Sequence, residues 1–308
     1  MRAVYWKEMA DYFGNRLFAV VMLLIAVVAV WAAYTTTQDL RDQAGGGSAE
    51  FAFLKLFTTQ GDTPLSFLFF VGFFGPLLGL ALGFDAINSE GSRGTLSRIL
   101  AQPIYRDALI NGKFCAGATV LGTSLLSLML IIIGVGLYTL GISPSTDEML
   151  RLALFMGATL VYMTLWLAIA ILFSLLFDRA VMSALASIGV WLALTFFVPF
   201  FAVTIVDELV ENSENPQQVA TERAQWEQRI QRISPAFLYE EATQPLLNPQ
   251  VRTLGFITSE DVQGIGPQPI SLGQSMILVW PHLTGFLALA SVIFAFAYLR
   301  FMRMEVRP

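Results

Sequence analysis

Side chains able to do chemistry are few and scattered in this chain. The only histidine, His282, follows Pro281 inside an apolar run, and the only cysteine, Cys115, lies near the start of another. A histidine in a run of membrane-spanning length is costly and points to function by default. No second ligand stands near it, so a metal site is not expected. The reading is a hydrogen-bonded packing role beside a proline kink. Cys115 reads as a small buried hydrophobe, and a single cysteine allows no intrachain disulfide. Gly112-Lys113 has the look of a phosphate-loop ending. Asp107 stands where the first glycine belongs, however, and Phe114 where Ser or Thr should be. The chain is therefore not expected to bind ATP by that route. No nucleophile–base pair and no metal-ligand cluster is evident, so an intramembrane enzyme stands last among the readings.

The elements carrying these residues are apolar. Hydrophobic residues make up 56% of the 308 and charged ones 13%, against about 25% charged in soluble domains. A helix needs roughly 20 mostly apolar residues to cross a bilayer core. Residues 65–83, 114–140, 152–176, 181–206 and 274–299 meet that length, and the shorter run 17–34 is uncharged. The runs are continuous, where barrel strands would alternate and be about half as long. They are read as helices. The first is read as an uncleaved span, because Glu8 and Asp11 precede it and no small-residue cleavage site follows Tyr34.

Lys and Arg near span ends set orientation. One side collects Arg2, Lys7, Arg16, Arg93, Arg98, Arg106, Lys113, Arg179, Arg300, Arg303 and Arg307, while the two short loops opposite hold Arg41, Lys55 and Arg151. Both termini are expected in the cytoplasm. The fold class is thus an all-α integral membrane protein with six transmembrane helices. An N-terminal amphipathic interface helix occupies 1–16, and a small helical outer domain lies between spans 5 and 6. Residues 17–206 hold spans 1–5 with a cytoplasmic loop at 84–113, the extracytoplasmic part is 207–273, and 274–308 hold span 6 and a tail.

Three segments outside the spans are informative. In the interface helix, Trp6, Met9 and Phe13 share one face at spacings of three and four, with Lys7, Glu8, Asp11 and Asn15 on another. Such a helix lies at the membrane surface, as an anchor or in a coupling role. In the outer segment, Asn215-Pro216 starts a helix with a stripe of Val219, Trp226, Ile230 and Ile233. Ser234-Pro235 ends it and starts another through Glu241, and Pro245, Pro249, Pro267 and Pro269 break the return path. Gly45–Gly47 reads as a flexible turn.

The third segment is the loop FDAINSEGSRGTLSRILAQPIYRDALINGKF, beginning at Phe84. Residues 95–102 can form a short helix with Leu96, Ile99 and Leu100 on one side and Arg93 and Arg98 elsewhere, stopped by Pro103. Glu90 is read as bracing the loop against Arg93. A short helix with an apolar face, held between two spans, suits docking into a groove on another protein.

Within the spans, Gly75, Gly79 and Gly83 line one face of the second, at a spacing that lets helices approach closely. The fifth is aromatic, with Trp191, Phe196, Phe197, Phe200 and Phe201 around Pro199. The five clear spans carry no Asp, Glu, Lys or Arg between their ends, which argues against an ion-coupled carrier. Any transport would draw its energy from elsewhere. No internal repeat is visible, so the six spans read as half of a dimer.

The pattern Glu90, Gly94-Thr95-Leu96, Leu100, Pro103, Arg106 and Gly112-Lys113 resembles the cytoplasmic loop of permease subunits of type-2 class ABC exporters. The nearer likeness is to the branch linked to multicopper-enzyme and nitrous-oxide-reductase maturation. Gln274-Ser275, Val279-Trp280-Pro281, Phe301-Met302-Arg303 and Glu305-Val306-Arg307 add to it. The resemblance implies a dimer of permeases, homomeric or with a related chain. Each would sit in lipid on a separate ATPase subunit that holds ATP and Mg, with no cofactor in this chain and no nucleic-acid partner. Docking would use Glu90, Arg93, Gly94, Thr95, Leu96, Arg98, Ile99, Leu100, Pro103 and Arg106. Spans 2 and 5 would border a pathway, lined by Gly75, Gly79, Gly83, Phe196, Phe197 and Phe200. The competing reading is a scaffold that passes ATP-driven motion to an extracytoplasmic partner without transport.

Overall fold

In this computed structural model the described residues are 1–14, 16–43, 51–58, 66–92, 94, 105–141, 143–210, 216–250 and 269–304. Among them, six helices are long and apolar enough to cross a membrane, and no strand occurs. The chain runs α1 (Arg2–Gly14), α2 (Arg16–Gln43), α3 (Ala52–Thr58), α4 (Phe67–Gly83), α5 (Asn88–Ser92), α6 (Arg106–Leu140) and α7 (Thr146–Leu176). Then come α8 (Ala180–Leu192), a π turn (Ala193–Phe197), α9 (Val198–Leu209), α10 (Pro216–Gln231), α11 (Pro235–Leu247) and α12 (Leu272–Arg303). The spans are α2, α4, α6, α7, α8 with α9, and α12.

Local chemistry explains the boundaries. Ser145 and Glu148 form a reciprocal capping box at the start of α7, and Ser271 and Gln274 form one at α12. The expected second outer helix begins as read, with Ser234 as cap and Pro235 in the first turn. Gly141 closes α6 at φ 69°, a left-handed conformation in which glycine carries no steric penalty. Span 3 starts at Arg106, earlier than its apolar run, because a polar amphipathic turn precedes the lipid-length stretch. The short helix α3 was not foreseen. It is pinned by Glu148 Oε1, which accepts the Phe53 N–H at 3.0 Å.

Span 4 is the centre of the bundle: 67% of its apolar window is buried, against 11% for span 5. Trp166, Tyr162 and Phe155 are fully buried on it. The glycine face of span 2 makes this packing close. A Cβ on Gly79 would lie 2.6 Å from Met163 O, and one on Gly83 would lie 2.6 Å from Ala170 Cβ. Apolar burial gives little drive for helix association in lipid, so van der Waals fit at such a seam matters more.

The outer segment is less separate than a small domain would be. α11 packs against spans 2, 4 and 6. Its Tyr239 stacks on Tyr162 at 4.3 Å between ring centres, and their environment includes a 2.9 Å contact from Tyr239 Oη to Thr159 Oγ1.

Candidate functional site

At the end of the bundle that carries the 84–113 loop, three segments meet around one buried ammonium. In α1, Val4, Glu8 and Tyr12 recur every four residues and so share a face, and all three are buried. That face lies on the first turns of α6, where Gly112 leaves room: a Cβ there would come within 2.9 Å of Val4 Cγ1. Lys113, its side chain 4% exposed, reaches Glu8 Oε1 and Glu90 Oε1, each at 2.9 Å. Lys7, 56% exposed, flanks the cluster at 3.1 Å from Glu8, 3.4 Å from Asp11 and 3.6 Å from Glu90. Burial would lower the Lys7 ammonium, but attraction by Glu8, Glu90 and Asp11 outweighs it and holds that group above its ordinary value. The Tyr12 hydroxyl donates to Leu82 O at 3.1 Å, and burial pushes its titration well above the usual range.

The clamp spans the loop. Glu90 belongs to the arm leaving span 2 and Lys113 to the arm entering span 3. Ser174 of span 4 adds a second stitch, its hydroxyl oxygen accepting the Ile87 and Asn88 N–H groups at 2.8 and 3.2 Å. Arg106 donates to Met304 O at 2.9 Å, which joins the returning arm to the end of span 6. The arrangement presents no reacting pair to a substrate. Chemically it is a joint of fixed, mutually neutralised charges, through which force on the loop would reach α1 and spans 2, 3 and 6.

The expected site residues fall into three groups. Arg93, Thr95, Leu96, Arg98, Ile99, Leu100 and Pro103 lie outside the described residues. Glu90 is inside and pairs with Lys113, 23 positions away, while Arg93, the expected brace, lies outside the described residues. Gly94 adopts φ 65°, and Arg106 is half-buried on Met304 O rather than free at a docking rim. Trp6 and Phe13 are exposed on the outward face of α1, with Met9 partly buried, and the charged residue Glu8 turns inward.

Gly75, Gly79 and Gly83 meet span 4, which places them in a packing seam and not on an open wall. Phe196 joins span 5 to span 2, its ring 6.1 Å from Phe73 and 5.9 Å from Trp191. Phe197 and Phe200 are exposed. The π turn has a local cause. Pro199 has no N–H for the carbonyl four residues earlier, and the Val198 N–H bonds to Ala193 O, five residues back.

Sequence reasoning missed two polar joints at the opposite end. Arg151, 1% exposed on its side chain, donates to Pro245 O, Ser275 Oγ and Ile270 O at 3.3, 2.9 and 2.7 Å, and pairs with Asp147 at 2.6 Å. It ties span 4 to the end of α11 and the start of span 6. Its only sequence signal is an arginine one turn into a helix beside its i−4 acid.

The second joint is Glu241. Arg232 grips it in bidentate fashion at 2.6 and 3.0 Å, Gln228 donates at 2.7 Å, and His282 Nε2 lies 3.0 Å from its other oxygen. The lone histidine thus has a hydrogen-bonding partner on α11. Burial would raise the Glu241 carboxyl, but its bonds with Arg232, His282 and Gln228 prevail and hold it below 4.5. A carboxyl lowered on folding stabilises the protein above its unfolded value and loses that contribution as pH falls through the folded one. The stability gap between wild type and Glu241→Gln should therefore be full above pH 4.5 and close on acidification below it. Thermal unfolding in detergent across that range checks this. A gap independent of pH would remove the ionised carboxyl from the account.

The chain matches the family described as ABC-2 family transporter protein over residues 2–306. It is 30% identical over 210 residues to a probable ABC transporter permease protein NosY of Pseudomonas aeruginosa, which covers 66% of this chain and 69% of that protein. It is also 30% identical over 219 residues to a protein of the same description from Stutzerimonas stutzeri, covering 68% of this chain and 72% of the relative.

Proposed function

The chain belongs to the ABC-2 family of transporter proteins, a membrane permease subunit with several spans, and on that premise we propose that it works as an exporter driven by a separate ATPase subunit. The ATPase would dock on the 84–113 loop from the cytoplasm, where both termini also lie. A second permease copy would complete the pathway, and ATP with its Mg would stay on the partner. The observation that carries the reading is the Lys113 clamp, which joins both arms of the loop to α1. A loop held this rigidly at its base can pass a push from a docked partner into the spans, where a loosely tethered one would absorb it. The likeness to permeases named NosY supports the same assignment.

A second reading, transmission of ATP-driven motion to an extracytoplasmic partner, draws on one observation. Arg151 and Glu241 lock α11 to spans 4 and 6, so motion of the bundle would be delivered to the outer segment.

Replacing Leu96 and Leu100 with Ser tests the docking step. Both positions lie outside the spans, so the variant should insert and purify as wild type does. Co-purification with the ATPase subunit should fall, or ATP turnover should persist without movement of a cargo. The chain purified alone should not turn over ATP. A double variant that binds the ATPase and works at the wild-type rate moves the coupling role elsewhere, first to α1.

A further inference from the structure

A cleft of about 490 Å³ opens at the outer-helix end, between α4, the π turn and α11. That volume is within the range of small-molecule sites. Its apolar wall is aromatic. Phe69 and Phe73 stack at 6.0 Å, Phe196 meets Phe73 edge-on at 6.1 Å, and Phe237 contributes from α11. Two polar groups in this lining have no side-chain partner among the described residues. Thr195 Oγ1, inside the π turn, is buried without a hydrogen-bond partner. Departures to π geometry inside a helix are frequent at functional sites. Glu240 also lines the cleft, and among the described residues its carboxyl makes no ion pair and no side-chain hydrogen bond. Its neighbour Glu241, by contrast, is fully engaged.

We propose that this cleft binds an organic cation with an apolar body, its charged centre beside Glu240 and its body against Phe73 and Phe196. Each part of the lining selects for that class. Aromatic faces attract a cation through their quadrupole, more strongly when it is desolvated. Glu240 is exposed at the cleft, where its carboxylate offers a cation an ion pair of modest strength. An anion would be repelled by Glu240, and a neutral apolar molecule would gain nothing from its charge. Partial desolvation raises the Glu240 carboxyl above its ordinary value, although the residue as a whole is exposed. The proposal rests on the transport reading only in treating the ligand as a cargo, and the binding itself needs no ATPase.

The probe is tetraphenylphosphonium, measured by equilibrium dialysis against the purified full chain in a non-ionic detergent. Wild type should bind it saturably, and Glu240→Gln should bind it about fivefold more weakly, the loss of one exposed charge contact. Neutral triphenylphosphine oxide should bind both proteins equally. Glu240→Gln removes no side-chain bond seen among the described residues and sits at an exposed position, so its fold should persist. Phe196→Leu, at a ring that is 48% exposed, provides a second variant that should also weaken the cation. Unchanged binding in Glu240→Gln, a neutral probe held as tightly as the cation, or no saturable binding at all would overturn the proposal.

Displacement by both tetrapentylammonium and a short-chain phosphatidylcholine would identify the natural occupant as a lipid headgroup. Displacement by tetrapentylammonium alone would identify a soluble cation. Either outcome upholds cation recognition. If binding depends on Glu240 but no cation moves when the ATPase subunit and ATP are supplied, the cleft stands and the transport reading falls.

Discussion

Replacing Lys113 with Met is expected to destabilise the protein by about 3–5 kcal/mol, the usual cost of removing one partner from a buried ionic group. The ammonium is 4% exposed and holds two carboxylates that are 7% and 11% exposed. Without it, Glu8 and Glu90 face each other in a poorly solvated pocket. Lys7 remains 3.1 Å from Glu8 and 3.6 Å from Glu90, so part of the repulsion is relieved and the lower end of the range is the better figure. Thermal unfolding in detergent measures the loss. Adding Glu8→Gln and Glu90→Gln to the Met variant should recover most of it, because the stranded charges are then gone. A Met variant that unfolds with wild type would show that the cluster contributes nothing to holding α1 and the loop arms together.

Arg151→Met is expected to be comparably severe, at about 3–4 kcal/mol, for a different reason. Asp147, the ionic partner of Arg151, is 42% exposed, and a half-exposed pair is worth about 1 kcal/mol or less. The larger loss comes from Ile270 O, Pro245 O and Ser275 Oγ, which would be left buried without their donor. Each stranded acceptor costs about 1–3 kcal/mol. Asp147→Asn should therefore be mild where Arg151→Met is severe. Limited proteolysis should then cut near the α11–α12 connection in the Met variant alone. Equal effects from the two substitutions would mean that the ion pair, and not the carbonyl cradle, holds the outer helix in place.

These two residues show where reading the chain stops. Hydropathy located all the spans, because lipid acts on every residue of a span at once and leaves a continuous local signature. Caps were equally legible: Ser234-Pro235 starts α11 because the groups that cap a helix lie within three residues of its end. The spacing put Trp6, Met9 and Phe13 on one face of α1, of which Trp6 and Phe13 are exposed and Met9 is partly buried.

Partnerships between distant segments were not legible. Lys113 finds Glu8 across 105 positions, and Arg151 finds Ser275 across 124. In the sequence each is a charge near a span end, indistinguishable from the lysines and arginines counted for topology. The glycine face of span 2 was visible as a seam, but its partner, span 4, was decided only when the bundle packed. The placing of α11 among spans 2, 4 and 6, and with it the cleft at Glu240, depends likewise on contacts between elements. The sequence by itself determined which segments are long and apolar enough to span a membrane. Only the tertiary structure decided how the buried charges are neutralised, because lipid selects residues one segment at a time while a buried charge is balanced by whatever the fold brings beside it.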